Sequence, residues 1–353
     1  MYDLIIIGGG PAGATLARLL KGMKVALIDK KLHSAQSGAI SSFQKPCGGL
    51  LSPDAQHALA NIGLHLPASV LVKPQPSSVK TIDLNSGLVR HYPRNYINMD
   101  RHKFDMWLLS LVPETVTCFA GRCTKIEQDN GEYVLTLIAP EEPRQLRAKY
   151  IVGADGAYSI VRRTIMPYKS RIKKYTAIQQ WFLRDASEPS DYIAAFDNSL
   201  TDSYAWGLDK DEHFIFGAAL PAKNAKHDFE ALKEKMCAYG YSFSKLVKTE
   251  CCQVLTPLHF SDTFSGNGNA FLIGEAGGFI SPSSLEGISY ALNTAAILAK
   301  VLMTEPEPNR LAAYKKNLLG LRLKLMLKQL KMPFMYNKQL RRLVMKSGVT
   351  AVK

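Results

Sequence analysis

The sequence has few cysteines for its length, and their spacing excludes the structures that cysteines most often build. No pair forms a CxxC motif, and none lies near a histidine at the spacing of a zinc finger. We therefore expect no metal site and no disulfide framework. A scattered, reduced set of thiols is typical of a cytoplasmic protein. The six are Cys47, Cys118, Cys123, Cys237, Cys251 and Cys252.

Long hydrophobic runs are also absent. A bilayer requires roughly 20 apolar residues in a row, and the best candidate, residues 288–303, contains Asn293, Thr294 and Lys300. We predict that this stretch is a buried helix. The first strand begins at residue 2, so no signal peptide is expected before it. A length of 353 residues with 46% hydrophobic side chains predicts about two domains and a large core.

Acidic residues are missing from the last part of the chain. Residues 308–353 contain 12 Lys or Arg and no Asp or Glu, whereas the rest of the chain carries 32 basic and 30 acidic residues. The net charge of +14 therefore belongs to the C-terminal region. A helix predicted there has an apolar stripe, formed by Leu319, Leu323, Met326 and Leu330. Its opposite side is basic and carries Lys324, Lys328 and Lys331.

Two interpretations of this basic region remain open. A basic amphipathic helix suits an anionic membrane surface, which would make the protein peripheral on the inner face of the membrane. Alternatively, the helix packs on the protein and its charges are only solvated. Nucleic acid is not an expected partner, because the segment lacks a recognised motif and interleaved aromatics.

Glycine, by contrast, is concentrated directly after a short apolar strand at the start of the chain. In the motif GGGPAG at 8–13, Gly8 permits the tight turn, Gly10 lets the backbone approach a pyrophosphate, and Gly13 lets the following helix pack closely. That helix begins near Pro11 and offers free N–H groups and a positive dipole end. A second strand ends in Asp29, where a carboxylate can accept hydrogen bonds from a ribose. The pattern predicts dinucleotide binding.

A second glycine-rich turn follows the strand at 270–273 and precedes a long helix. Glu275 could accept a hydrogen bond from a ribityl hydroxyl, and Gly287 and Ile288 could offer N–H groups at the start of the helix. A helix N-terminus is well placed to stabilise the negative charge that develops near the pyrimidine edge of a reduced flavin. A nicotinamide enzyme has no need of this second turn, so the two turns together favour a flavin nucleotide.

Three motifs resemble the fingerprints of flavoproteins of the p-hydroxybenzoate hydroxylase fold. They are GGGPAG at 8–13, GADGAYSIVRR at 153–163 and GEAGGF at 274–279. KPCGGL at 45–50 and DRHKFDMWL at 100–108 narrow the resemblance to the geranylgeranyl-reductase-like branch, across most of the chain. The resemblance implies FAD, with NADPH or a reduced carrier protein as electron donor, and hydride delivery from the flavin to an apolar substrate.

The resemblance also implies the fold and the domain boundaries. The expected class is α/β, with a Rossmann-like FAD-binding domain of the p-hydroxybenzoate hydroxylase type, an inserted antiparallel-sheet substrate domain and a helical C-terminal tail. The FAD-binding domain would comprise residues 1–75, 96–170 and 262–305, and the substrate domain residues 76–95 and 171–261. The basic helical region would comprise residues 306–353. The strand-like alternation of aromatic residues within 171–261 independently favours a separate sheet there.

The resemblance assigns individual roles in binding FAD. The pyrophosphate would contact Gly8, Gly10, Pro11 and Gly13, the adenosine ribose would contact Asp29, and the adenine would contact the backbone of Cys123. Cys47 and Gly48 would lie beside the flavin, and Arg101 would hold the phosphates or the ribityl chain. Asp155 would link the cofactor to the sheet, and Glu275 would contact the ribitol. Gly287 and Ile288 complete the set at the second helix. The family usually has Asp at the position of Glu275, so the acceptor here stands one methylene further out.

Residues for substrate and catalysis each have two interpretations. Cys47 is either a proton donor or polarity tuner during reduction, or a packed thiol. Trp181, Tyr204 and Trp206 either wall an apolar substrate pocket or belong to the core. Isoprenoid reductases of the family carry a PxxYxWxFP pattern, and the segment at 201–209 keeps the Tyr and Trp but loses both prolines and the Phe. The WxWxIP motif of flavin halogenases is absent.

Three functions are therefore compatible with the sequence. The first is an FAD-dependent oxidoreductase that reduces an apolar, isoprenoid or lipid-like substrate. The second is a flavin-dependent monooxygenase of the same fold. The third is a flavoprotein that binds a lipid carrier without catalysis.

Overall fold

The computed structural model describes residues 1–32, 45–139, 142–166, 172–184 and 192–348. Its strands, in chain order, are β1 (Tyr2–Ile7), β2 (Val25–Asp29), β3 (Leu50–Leu51), β4 (Ser78–Asp83), β5 (Leu88–Pro93), β6 (Ile97–Asn98), β7 (Thr117–Ala120), β8 (Arg122–Asp129), β9 (Glu132–Ile138), β10 (Arg144–Gly153), β11 (Lys173–Leu183), β12 (Tyr192–Phe196), β13 (Ala205–Lys210), β14 (His213–Leu220), β15 (Leu246–Thr256), β16 (Gly266–Asn267) and β17 (Ala270–Leu272).

The α-helices of the described residues are α1 (Pro11–Leu19), α2 (Pro53–Asn61), α3 (Arg101–Ser110), α4 (Ile160–Ile165), α5 (Ala225–Cys237), α6 (Ile288–Thr304), α7 (Arg310–Asn317), α8 (Leu319–Gln329), α9 (Met332–Tyr336) and α10 (Lys338–Lys346). Local chemistry explains where several of them begin. The Ser52 hydroxyl accepts a hydrogen bond from the N–H of Ala55 at 3.2 Å and caps α2. The Asp100 carboxylate accepts one from the N–H of Lys103 at 2.9 Å and caps α3.

The first sheet contains eight strands, and β1 lies near its centre. Its order is β16-β17-β10-β1-β2-β7, and β9 joins β8 to the sheet by antiparallel pairing with β10. β1 pairs in parallel with both β2 and β10. Its last four residues are buried, as expected of a parallel strand that helices cover on both faces. The helices α1 and α6 pack side by side against this sheet.

The second sheet contains seven strands in the order β15-β11-β14-β13-β12-β4-β5. Its pairs are antiparallel except for β12 with β4. The helix α5 covers one face, where Phe216 packs on Phe229 with ring centroids 5.7 Å apart. The opposite face carries Ala177 and Trp206 and packs on Ile280, which belongs to the second glycine-rich segment. The second sheet therefore faces the turns at the end of the first.

The C-terminal helices are tied to both sheets. The hydroxyl of the buried Tyr314 donates to the carbonyl oxygen of Leu272 at 3.0 Å. The guanidinium of Arg341 is buried and pairs with Asp83 at 2.7 Å in the second sheet. Among the described residues, no helix has the length and apolarity that crossing a bilayer would require.

Candidate functional site

A cavity of about 1010 Å³ lies where the carboxyl end of the first sheet meets the second sheet. Both glycine-rich turns, the end of β2, the 45–50 loop and the start of α3 contribute to its walls. Open α/β sheets bind ligands at this edge of the sheet. Every residue that the sequence assigned to FAD lines the cavity, except Gly13.

The first glycine turn is built so that backbone lies on the cavity side. Gly8 has a φ of +106°, and a Cβ there would stand 2.5 Å from the carbonyl oxygen of Ala154. A Cβ on Gly13 would stand 1.8 Å from the carbonyl oxygen of Gly8, so Gly13 sets how closely α1 approaches β1. Gly10 differs, because a Cβ there would meet nothing within 4 Å although the residue lines the cavity. The missing side chain at Gly10 leaves room for a ligand.

Two helix N-termini open onto this cavity. The N-cap residues of α1 and α6 are Gly10 and Gly287, which have no side chain to cap their helices. In the first turn of α6 the Glu286 carboxylate accepts from the N–H of Ser289 at 2.7 Å, which leaves the N–H groups of Gly287 and Ile288 as the candidates for a ligand. The two helices approach each other at Gly274, where a Cβ would lie 3.2 Å from the Cβ of Ala12 and 3.5 Å from the Cα of Ala291. N-terminal N–H groups and the positive ends of two helix dipoles suit a negatively charged ligand. The structure thus brings together two turns that are more than 260 residues apart in the sequence.

Asp29 is fixed at the end of β2 by the first turn. Its carboxylate accepts hydrogen bonds from the N–H of Gly9 at 2.6 Å and from the N–H of Lys31 at 2.7 Å. A carboxylate has further lone pairs, so both bonds leave capacity for a ribose hydroxyl. Asp29 lines the cavity in the position that the sequence predicted.

A buried ionic chain supports the neighbouring wall. Asp105 accepts from the Lys31 ammonium at 2.8 Å and from the Arg101 guanidinium at 2.7 Å. Burial alone would raise the pKa of Asp105, but the two cations outweigh it and lower that pKa to about 2. Burial would lower the pKa of Arg101, but Asp105 and the adjacent Cys47 raise it. Arg101 therefore stays charged beside Cys47 in the cavity wall.

Glu275 lines the cavity but is already engaged on both carboxylate oxygens. One oxygen pairs with the ammonium of Lys45, and the other accepts from the N–H of Leu255 at 3.0 Å. Burial would lower the pKa of Lys45, but Glu275 raises it. Glu275 thus ties the 45–50 loop to β15, a contact that the sequence analysis did not predict. Its role at the ribitol stays a prediction.

Asp155 presents an unsatisfied acceptor. Its Oδ2 accepts from the N–H of Ile160 at 2.7 Å, whereas its Oδ1 is buried and has no hydrogen-bond partner among the described residues. Burial raises the pKa of this carboxyl. A buried carboxylate oxygen without a partner is costly. A hydroxyl of a bound ligand would satisfy it.

Four aromatic side chains form one wall of the cavity: Tyr96, Tyr192, Tyr204 and Trp206. The rings of Tyr96 and Tyr192 lie 5.7 Å apart, and those of Tyr204 and Trp206 lie 5.9 Å apart. The hydroxyl of Tyr204 donates to the carbonyl oxygen of Ser284 at 2.8 Å, and the indole N–H of Trp206 donates to Gln179 at 2.9 Å. Their polar atoms are occupied, so the wall presents mainly apolar ring surface.

This aromatic wall reaches the loop that contains Cys47. A Cβ on Gly48 would lie 3.5 Å from the Cδ1 of Trp206, so the indole packs directly against that loop. Gly217 in β14 makes room for the ring, since a Cβ there would overlap it at 2.5 Å. The sequence analysis proposed Tyr204 and Trp206 for this wall, but it missed Tyr96 and Tyr192.

Trp181 lies elsewhere. It lines an adjoining cavity of about 570 Å³, where its indole N–H donates to Glu250 at 2.8 Å and the Lys248 ammonium stands 4.2 Å from its ring centroid. The two cavities share five residues, which are Lys31, Lys45, Cys47, Arg101 and Asp105. The structure therefore separates Trp181 from Tyr204 and Trp206, with the Cys47 loop between them.

Lys210 holds the Cys47 loop against the second sheet. Its buried ammonium donates to the carbonyl oxygens of Gly49 at 3.1 Å and Met99 at 2.6 Å, and to the Asn98 side chain at 2.5 Å. Burial lowers its pKa to about 7, while three oxygen acceptors favour retention of the proton. The sequence analysis missed this residue, because a lysine at the end of an alternating strand is typical of an exposed position.

Known proteins are similar to this chain over most of its length. The sequence model described as "Lycopene cyclase protein" matches residues 3–320. The chain belongs to this family. Protein CbrA of Escherichia coli O9:H4 (strain HS) is 47% identical over 353 residues, which cover 99% of this chain and 94% of CbrA. Together with the solved structure described next, these matches confirm the resemblance to geranylgeranyl-reductase-like proteins that the motifs indicated.

Solved structures confirm the fold class. A geranylgeranyl bacteriochlorophyll reductase-like protein from Thermoplasma acidophilum has a TM-score of 0.78 at 18% identity, with 100% of this chain and 92% of that chain covered. PqsL from Pseudomonas aeruginosa, described as a probable FAD-dependent monooxygenase, has a TM-score of 0.69 at 18% identity, with 98% of this chain and 99% of that chain covered. The chain thus has the fold of FAD-dependent oxidoreductases and hydroxylases, and it ends in C-terminal helices.

The residues of the cavity fit a bound FAD. Gly10 leaves open space at the start of α1, Asp155 presents an unsatisfied oxygen, and α6 begins at Gly287 and Ile288 on the same cavity. A dinucleotide is long enough to use both turns at once. Within the described ranges, no three His, Cys, Asp or Glu side chains come together as metal ligands would.

Proposed function

We propose that the protein is an FAD-dependent oxidoreductase that reduces an apolar, isoprenoid or other lipid-like substrate. The observation that carries the proposal is the meeting of three features in one cavity: two helix N-termini, the Cys47 loop and an aromatic wall. The first feature suits a dinucleotide, and the last suits an apolar ligand. The loop between them is where the two would meet.

The names of similar proteins support an isoprenoid substrate. Lycopene, for which the family is named, is an isoprenoid hydrocarbon, and the protein from Thermoplasma acidophilum is named for reduction of a geranylgeranyl group. The wall of Tyr96, Tyr192, Tyr204 and Trp206 offers the apolar ring surface that such a chain would contact. The loss of both prolines and the Phe at 201–209 counts against the prenyl-chain substrate of the isoprenoid reductases themselves, so the proposal extends to other lipid-like substrates.

When bound, FAD would supply a carrier for two electrons, refilled by NADPH or by a reduced carrier protein. The residues of this chain would bind the cofactor, orient it and stabilise its charge. Gly10 and the N-terminal N–H groups of α1 would hold the pyrophosphate, while those at Gly287 and Ile288 would stabilise negative charge at the ring. Arg101, fixed by Asp105, would hold the phosphates or the ribityl chain.

Cys47 would act as the proton donor. Reduction of a carbon–carbon double bond consumes two electrons and two protons, and a thiol beside the ring and the aromatic wall could give one of those protons. The fixed positive charge of Arg101 beside Cys47 would stabilise the thiolate that remains. Lys210 would act as a positioning residue, because it anchors the loop through Gly49.

The test begins with the FAD-loaded protein reduced anaerobically and mixed with polyunsaturated isoprenoid alcohols. We expect the yellow absorbance to return without oxygen, and the product to gain two hydrogens by mass spectrometry. Return of the colour only in air, with a product that gains oxygen, would indicate a monooxygenase. An isoprenoid recovered intact would indicate a binding protein, and a rearranged product of unchanged mass would indicate cyclisation.

Cys47→Ser tests the role of the thiol, with Cys118→Ser as a matched control. Both thiols are partly buried, but Cys118 lies on β7 outside the cavity. We expect Cys47→Ser to keep its yellow colour and to slow product formation by roughly 10²-fold or more, the usual contribution of a positioned acid. Full turnover in Cys47→Ser would remove the residue from the mechanism.

A further inference from the structure

An apolar stripe on α8 remains exposed although the helix is firmly packed. Leu325 is buried, and Leu321 packs on the core of the first sheet, so these residues form the inward side. The other apolar residues are between 40% and 68% exposed. They are Leu319, Leu323, Met326, Leu327 and Leu330, and we name them the α8 stripe.

Helix geometry makes the α8 stripe contiguous. With about 100° between successive residues, its five members fall within an arc of about 100°. Soluble monomers rarely leave a contiguous apolar surface of this kind uncovered. On the later helices α9 and α10, Phe334 is 46% exposed and Leu343 is 64% exposed.

The helix is held rigidly in this orientation. Lys324 and Lys328 both pair with Asp54 at the start of α2, at 2.8 and 3.0 Å. Arg322 donates to the hydroxyl of Thr263 at 2.7 Å and to its carbonyl oxygen at 2.8 Å. Cations on two sides of α8 therefore hold the helix to Asp54 and Thr263. The stripe cannot turn inward unless these ion pairs and hydrogen bonds break.

The C-terminal region that contains the stripe is cationic. Residues 308–353 contain no acidic side chain. Six of the cations that the structure describes there are exposed, namely Lys315, Lys316, Lys324, Lys338, Arg342 and Lys346, and of these Lys324 pairs with Asp54. Apolar side chains flanked by lysine and arginine form the pattern of helices that lie in a membrane interface. Charge complementarity therefore favours an anionic lipid surface over a protein of unspecified charge.

The helix α8 borders the large cavity on the side opposite the α8 stripe. Lys328 and Asp54, which hold α8 to α2, also line that cavity and are partly exposed, so the cavity reaches the surface beside this helix. Tyr96, a member of the aromatic wall, lines the same cavity. From Tyr96 the rings continue to Tyr192, and the wall ends at Trp206 beside Gly48.

We propose that the α8 stripe docks the protein on an anionic membrane surface, and that docking lets an apolar substrate pass from the lipid along the aromatic wall to the Cys47 loop. Docking itself follows from the exposed stripe and the cations, independently of any cofactor. The passage of substrate rests on the function proposed above. The two parts are therefore tested separately.

The docking test uses the full chain with vesicles of phosphatidylcholine containing phosphatidylglycerol. We expect the protein to float with these vesicles at low salt, and less with phosphatidylcholine alone. Leu327→Ser combined with Leu330→Ser should weaken partitioning at least tenfold, because two apolar side chains lose their lipid contact. The control, Ile138→Ser combined with Leu183→Ser, removes two side chains of similar exposure from the sheets and should bind as the unmodified protein does.

A charge variant separates lipid attraction from apolar contact. Lys338→Gln with Arg342→Gln should weaken partitioning about fivefold per charge, the equivalent of about 1 kcal/mol each. It should also reduce the dependence on salt. In Leu330→Trp, quenching of the added fluorescence by brominated lipid would show that the stripe enters the interface; no quenching above the parent protein would contradict insertion.

Two results would overturn the proposal. One is a folded protein that fails to float with the anionic vesicles at low salt. The other is a dimer in light scattering that becomes a monomer in the Leu327→Ser, Leu330→Ser variant, because a second copy of the chain would then cover the stripe. If docking holds but vesicle-embedded isoprenoids react no faster than detergent-solubilised ones, the passage of substrate is refuted while docking and the proposed function stand.

Discussion

Gly10→Ala is the sharpest perturbation that the structure offers. A Cβ at this position meets nothing within 4 Å, and the residue has a φ of −73°, which alanine adopts freely. The substitution should therefore leave the fold intact. Alanine is a poorer N-cap than glycine, but it also reduces the entropy of the unfolded chain, so stability should change by no more than about 1 kcal/mol.

The effect on FAD should be much larger. The new methyl group occupies the open space at the N-terminus of α1, where the pyrophosphate is expected. If the methyl group displaces the pyrophosphate and one hydrogen bond to it is lost, the free energy of FAD binding weakens by about 1.5–3 kcal/mol. The Kd for FAD would then rise about tenfold to a hundredfold. Gly10→Val should weaken binding further, because it fills more of the same space.

The assay is a titration of apoprotein with FAD, followed by the change in flavin absorbance, alongside urea unfolding of the apoprotein. Gly320→Ala is the control: its Cβ also meets nothing within 4 Å, but it lies on α8 and does not line the cavity. Unchanged FAD affinity in Gly10→Ala, with a normal unfolding curve, would refute the assignment of the first turn to the pyrophosphate.

Other outcomes follow from the same structure. Gly13→Ala should destabilise the protein by more than about 3 kcal/mol, seen by urea unfolding, because its Cβ would stand 1.8 Å from the carbonyl oxygen of Gly8; a stable variant would contradict this packing. The lowered pKa of Asp105 contributes about 2 kcal/mol of stability above pH 3.8, and this contribution should disappear as the pH falls towards 2. In Asp105→Asn that part of the acid dependence should be missing from unfolding curves, and an unchanged acid dependence would disprove it. Tyr204→Phe should keep FAD and lose about 1 kcal/mol in thermal unfolding, because Ser284 loses its donor; no loss would argue against that hydrogen bond.

Local features of the fold were predictable from the sequence because their causes are local. Ser52 and Asp100 cap the helices that follow them. Asn130 and Gly131 adopt positive φ values in the hairpin between β8 and β9, as their residue types favour. The assignment of both glycine turns to one cofactor depended on motif chemistry, and both turns do line one cavity.

The contacts that shape the cavity were not predictable, because they join residues far apart in the chain. Lys45 and Glu275 are 230 positions apart, and no local periodicity pairs them. Lys210 donates hydrogen bonds to Gly49, Asn98 and Met99, and these contacts depend on the packing of β13 against the 45–50 loop. Trp181 alternates on β11 as a wall residue would, but its position along the strand places it in the adjoining cavity.

The central claim is that the two helix N-termini hold one dinucleotide between them. The most direct test compares the binding of FAD and FMN to the apoprotein by calorimetry. FMN lacks the adenylate half, so it would lose the second phosphate at the first turn and the ribose contact expected at Asp29. The account predicts one FAD per chain and binding of FMN at least about a hundredfold weaker. A folded protein that binds neither, or that binds FMN as tightly as FAD, would contradict it.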